Sequence, residues 1–179
     1  MVDAQQELVY EWEADFRDFN RQTFTLEECR KFIHTATGRY GTPPPRVRSH
    51  RPRGGITFYQ ADQIPRREKD ILAIHQRIRG SAVISFRKDG KNPAVALHEA
   101  SHAILNYWLP LGGYEDHGPE FLGIYFWLLL RANILPEAAL IASARTAGLK
   151  WMKNFTPGRF HRWRHRMQSK QLIKVGSPT

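Results

Sequence analysis

Ala4, Leu8, Trp12, Phe16 and Phe19 recur at spacings of four, four, four and three residues. That spacing returns a side chain to one face of an α-helix, so residues 3 to 19 are predicted to form an amphipathic helix with the intervening acids turned to its other side. Thr25 followed by Glu28 has the form of a capping box and opens a second predicted helix through about Thr37, with Leu26, Cys29, Phe32 and Ile33 on its apolar side. Gly38, Gly41 and Pro43 to Pro45 then break the chain.

Two short strands are predicted next, Arg46 to Arg51 and Ile56 to Gln60, on either side of a turn at Pro52 to Gly55. Residues 61 to 80 read as loop or as a short helix over Lys69 to Ile78. Ser81 to Arg87 sets Val83, Ser85 and Arg87 against Ala82, Ile84 and Phe86, the strongest strand alternation in the chain. Pro119 to about Asn133 is a long apolar helix, and Pro136 opens a further one, carrying Ala138, Ala139, Ile141 and Ala142, that ends near Gly148. No internal repeat or low-complexity segment interrupts the pattern.

Candidate chemistry enters between the last strand and the long apolar helix. Ala96 to Ile104 reads A-L-H-E-A-S-H-A-I, with apolar residues at helical spacings and His98, Glu99 and His102 among them. On a helix, positions four apart lie one above the other, so both imidazoles can reach a single ion while Glu99 projects beside them. Zinc in a catalytic site takes three protein ligands and keeps an open position. His117 is the expected third ligand, set in H-G-P-E-F on the shoulder before the long apolar helix. Glu120 is the rival, and otherwise a group that holds His117 or the helix start; Glu115 and Asp116 are weaker candidates. Glu99 is then the general base, accepting a proton from zinc-bound water and passing it to the leaving amine of an amide. No oxyanion-stabilising residue stands out: Tyr114, His75 and the arginines from Arg46 to Arg53 are open alternatives.

The pairing of H-E-x-x-H with H-G-P-E-F resembles the SprT-like zinc metalloproteases, whose third ligand is the histidine of an H-G-x-x-[FW] motif. The chain is also similar, over most of residues 3 to 148, to a family of small zinc metallohydrolases of actinobacteria and their phages. In both, a D-x-Q-x-x-x-V-Y-x-x-E-like helix (Asp3 to Glu13) and a P-x-x-V-R-x-R-like strand precede the L-H-E-x-x-H helix and H-G-P-E-F. The resemblance implies an α+β, zincin-like fold: a small mixed sheet on the H-E-x-x-H helix, further helices on both sides, and one Zn2+ on His98, His102 and His117 with Glu99 as base. In folds of this kind the strand before the metal helix edges the cleft and takes an extended peptide by strand addition.

Charge changes the picture of the C-terminal part. The net charge is −6 over residues 1 to 28 and +9 over residues 138 to 179, where no acid occurs, within a total of +10. The expected organisation is therefore a metallohydrolase domain over 1–148 and a basic tail over 149–179. Arg159, Arg162, Arg164 and Arg166, interleaved with Trp163, suit phosphate contacts with aromatic stacking on nucleic-acid bases. The same tail could instead be a solvated face, pack on the acidic N-terminal helix or dock on another protein.

The lone cysteine, Cys29, excludes an intrachain disulfide. The longest apolar run, Phe121 to Leu130, is ten residues, against about twenty needed for a bilayer. With no basic segment and apolar run at the start, the expectation is a cytoplasmic protein, in host cytoplasm or virion if phage-encoded, without a membrane partner. Three functions fit: a zinc metallopeptidase acting on protein or peptide, including proteins on nucleic acid; a nucleic-acid-binding or virion assembly protein with a structural zinc; and a regulatory protease that cleaves a repressor. An intact Glu99 favours the two proteases, because a structural site has no use for a base.

Overall fold

The computed structural model describes residues 3, 5–16, 22–38, 56–60, 73–78, 81–86, 91–108 and 115–153. Their elements are α1 (Gln6–Ala14), α2 (Leu26–Thr37), β1 (Ile56–Gln60), β2 (Ala73–Ile78), β3 (Ser81–Phe86), α3 (Pro93–Trp108), α4 (Pro119–Arg131) and α5 (Glu137–Thr146). Helices predominate beside one small sheet, an arrangement compatible with an α+β class. The strand predicted at Arg46 to Arg51 lies outside the described residues.

The N-terminal helix is shorter than predicted and turned about its axis. Its buried stripe is Gln5, Val9, Trp12 and Phe16, while Leu8, expected on the apolar face, is 37% exposed. Trp12 sets this rotation: its ring packs between Phe16 and Phe126, at 4.6 and 5.3 Å, and its indole N–H donates to the hydroxyl of Ser143 on α5 at 3.0 Å. Removing so large a buried side chain costs about 3–5 kcal/mol. Glu13, expected on the solvent side, is carried inward by the same rotation, and its side chain is only 12% exposed.

The capping box of α2 forms as the sequence indicates. The Thr25 hydroxyl accepts from the Glu28 N–H at 3.2 Å, and the Thr25 N–H donates to the Glu28 carboxylate at 2.7 Å. Cys29, Ile33 and Ala36 are buried. The helix ends at Gly38, whose φ of 55° lies in the left-handed region open to glycine. Arg131 of α4 caps the same end, donating from Nε to the Ala36 carbonyl at 2.6 Å.

The sheet is mixed, with order β1-β3-β2. β3 runs parallel to β1, from Ile56 opposite Ala82 to Gln60 opposite Phe86, and antiparallel to β2, from Ala73 opposite Phe86 to Ile78 opposite Ser81. This corrects two expectations. Residues 73–78 form a strand, not a loop or short helix, because they pair along the whole length of β3. β3 itself is central, so both its edges are occupied and it cannot accept a peptide strand. Val83, Ile84, Ser85 and Phe86 are all buried, as expected of an inner strand covered on both faces.

The sheet packs against α3 through β2 and β3, and α3 in turn packs against α4 and α2. Asn92 starts α3: its side-chain oxygen accepts from the Val95 N–H at 3.0 Å, and Pro93 occupies the first helical position. The helix is buried nearly all round from Ala96 to Ala103, with Ala96, Ala100 and Ala103 as the small residues on it. Packing continues past residue 148. Leu149 is in the core, Trp151 lies 5.2 Å from the Phe126 ring, and the Met152 N–H donates to the Pro119 carbonyl at 2.8 Å.

Candidate metal centre

α3 delivers two of the centre's side chains. His98 and His102, one turn apart, bring their Nε2 atoms within 3.1 Å of each other. The third arrives from the turn ahead of α4. There Gly118 donates to the Glu115 carbonyl at 3.0 Å, and a Cβ at position 118 would lie 3.2 Å from both that oxygen and the Glu115 Cβ, a close approach that glycine accommodates without displacing Glu115. Pro119 then begins α4, and His117, 4% exposed, is left with its Nε2 3.2 Å from that of His98.

The far side of each ring decides what the near side can do. His98 Nδ1 lies 2.6 Å from the Glu13 carboxylate, and His117 Nδ1 lies 2.7 Å from that of Asp3. A carboxylate is an acceptor, so each Nδ1 carries the proton and each Nε2 presents a bare lone pair. Two lone pairs 3.2 Å apart in a buried setting repel unless a cation lies between them. Nitrogen ligands at 2.0–2.1 Å from a tetrahedral zinc stand roughly 3.3 Å from one another, close to the separations here. The three histidines thus fit a metal ion by spacing, and His98 and His117 fit it also by tautomer. Among the described residues they are the cluster that could hold one, and Glu115, Asp116 and Glu120 are not part of it.

Titration follows the same contacts. Burial opposes protonation of His98, but Glu13 and Glu99 outweigh it and raise its pKa. His117 goes the other way, lowered by burial and by His98 despite Asp3. For Asp3 burial is outweighed by hydrogen bonds from the Gln5 N–H and from the ring and backbone of His117, and its pKa falls. Tyr125, fully buried, is held protonated by burial and by Glu13, to which its phenol is hydrogen-bonded. Glu99 is 7% exposed and lies near enough to His98 and Tyr10 to raise the pKa of both.

Rings enclose the trio. Phe121 contacts His98, His102 and His117 at 5.0, 4.4 and 5.0 Å. Tyr10 of α1 stacks on His98 at 5.7 Å and meets His117 edge-on at 5.4 Å. Gln5 completes the frame: its amide donates to the carbonyls of His117 and Lys150, at 3.2 and 3.3 Å, and accepts from the Lys150 N–H at 2.7 Å.

The structure therefore brings together His98, His102 and His117 with Glu99 beside them. It adds Asp3, Gln5, Tyr10 and Glu13, which the helical pattern assigned to an ordinary amphipathic surface. The available signal was the D-x-Q-x-x-x-V-Y-x-x-E motif, whose fixed positions include all four, with Tyr10 and Glu13 at i,i+3 along the border of the apolar face. His75 falls on β2. Tyr114, Arg46 to Arg53, Arg159, Arg162, Trp163, Arg164 and Arg166 lie outside the described residues. No family model, curated protein or solved structure matches the chain.

Proposed function

We propose that the chain is a zinc-dependent metallopeptidase, or a closely related amide hydrolase, of zincin-like build. The observation that carries this reading is the convergence of the three histidines, with Glu99 buried on the helix of His98 and His102 and close enough to His98 to raise its pKa. Zinc, when bound, supplies Lewis acidity toward a carbonyl oxygen and lowers the pKa of water in the site. The chain's own groups do the rest. Glu99 takes a proton from the attacking water and returns it to the leaving nitrogen. Asp3 and Glu13 fix the protons of His117 and His98 on Nδ1, so that both Nε2 atoms stay available. The basic segment after residue 138 favours substrates held near nucleic acid, a preference that rests on charge alone.

The test combines elemental analysis with hydrolysis of unfolded protein and of DNA-bound protein. One zinc per chain and chelator-sensitive cleavage are expected. Glu99→Gln should keep the metal and lose at least about 10²-fold in rate. A zinc-loaded wild-type protein that cleaves nothing, with Glu99→Gln indistinguishable from it, would overturn the peptidase reading in favour of a structural zinc.

A further inference from the structure

Hydrolysis of an amide needs more than a base, because charge develops on the carbonyl oxygen and a donor aimed at that oxygen is a large part of catalysis. Among the described residues, the non-histidine rings against the trio are Tyr10, Phe121 and Tyr125. Phe121 and Tyr125 are fully buried, whereas Tyr10 is 48% exposed. Phe121 has no polar atom, and the Tyr125 phenol is spent on the Ala94 carbonyl and Glu13. The Tyr10 hydroxyl accepts from the Gln6 amide at 3.3 Å and, among the described residues, donates to no group. Its ring lies against both His98 and His117 while remaining half exposed, so the phenol borders the centre without being buried in it.

We propose that Tyr10 is a catalytic residue, whose O–H donates to the substrate carbonyl oxygen and stabilises the negative charge that forms there. The proposal rests on the metallopeptidase reading above. Water adds its oxygen to the carbonyl carbon, and the carbonyl π pair moves onto the oxygen that Tyr10 contacts. Glu99 receives one proton of that water. As the C=O bond reforms, the C–N bond breaks and the proton passes from Glu99 to the departing nitrogen. The other proton of the water stays with the new carboxyl group, and Tyr10 keeps its own proton throughout.

The experiment compares wild type with Tyr10→Phe, which removes the hydroxyl and leaves the stacked ring. Both proteins are loaded with cobalt(II), and acetohydroxamate, which presents a carbonyl oxygen to the site, is titrated by the visible spectrum of the metal. Equal metal content and at least about a tenfold weaker acetohydroxamate affinity are expected in Tyr10→Phe. Where hydrolysis is measured, kcat should fall by about 10²-fold with KM little changed. Equal affinity in the two proteins, or no binding to wild type, overturns the role of Tyr10. So does an unchanged kcat in Tyr10→Phe together with a raised KM in Tyr10→Leu, which would make the ring a binding surface only. The titration needs no turnover: equal affinity overturns Tyr10 alone, whereas weaker binding in Tyr10→Phe beside a wild type that hydrolyses nothing overturns the peptidase reading, and the catalytic role with it, and leaves Tyr10 only as a donor to a bound carbonyl oxygen.

Discussion

Glu13 and His98, 85 residues apart in sequence, meet at 2.6 Å with His98 buried and Glu13 nearly so, and the contact fixes which nitrogen of His98 faces the other two histidines. A carboxylate behind a ligating imidazole raises its basicity and holds its orientation, and losing it typically costs 10- to 100-fold in metal affinity. Glu13→Ala is therefore expected to weaken zinc binding by about that factor, measured by competition with a chromophoric chelator. Glu13→Gln keeps an acceptor oxygen and should lose less. Asp3→Ala should behave like Glu13→Ala, with an added cost because Asp3 also receives the His117 backbone N–H at 2.7 Å. Unchanged affinity in all three variants would remove these carboxylates from the metal centre.

The third ligand is tested by subtraction. His117→Ala should lose stoichiometric metal, because its Nε2 is one corner of the trio, while Glu120→Ala should retain it. Elemental analysis of the two purified variants decides the point, and the opposite result would assign the ligand to Glu120.

Cys29 is fully buried in α2, and burial pushes its thiol up to about 11. Only the thiolate reacts with disulfide reagents. At pH 8 the thiolate fraction is then roughly a hundredfold below that of a thiol with an ordinary pKa near 9. Labelling of native protein by a disulfide reagent should be slower than in denaturant by at least that factor, and rapid native labelling would mean that α2 opens readily.

The α2 cap predicts a pH-dependent stability. Glu28 accepts from the N–H and hydroxyl of Thr25, and these bonds lower its pKa below the ordinary 4.5. A lowered folded value gives stabilisation that is present above the unfolded pKa and is lost as pH falls through the folded one. Thr25→Ala should accordingly lower Tm by roughly 2–4 °C at neutral pH. The gap from wild type should narrow below pH 4.5, as followed by thermal melts across pH.

How much was legible follows from sequence distance. His98 and His102 could be read because four residues on a helix is a local relation, and His117 because proline and glycine fix a helix start locally. Asp3 and Glu13 stand out only as positions of the D-x-Q-x-x-x-V-Y-x-x-E motif; what they touch could not be read, since their partners lie 114 and 85 residues away. Leu8 misled for the complementary reason: periodicity identifies a stripe, but Trp12 and its bond to Ser143 choose the rotation. The strand at Ala73–Ile78 was missed because its order comes from pairing with β3 and not from its own alternation.

Gln5 behaves like a fragment of backbone, offering an N–H and a C=O to Lys150 while also holding the His117 carbonyl. Its consequence is one of timing. On a ribosome all three histidines would emerge before Lys150, so the ligands exist well before the frame that orients them is closed. On the proposed metal-binding reading, rigid coordination then becomes one of the last events in maturation, and a nascent chain arrested short of residue 150 should exchange an added metal ion with solution far faster than the finished protein.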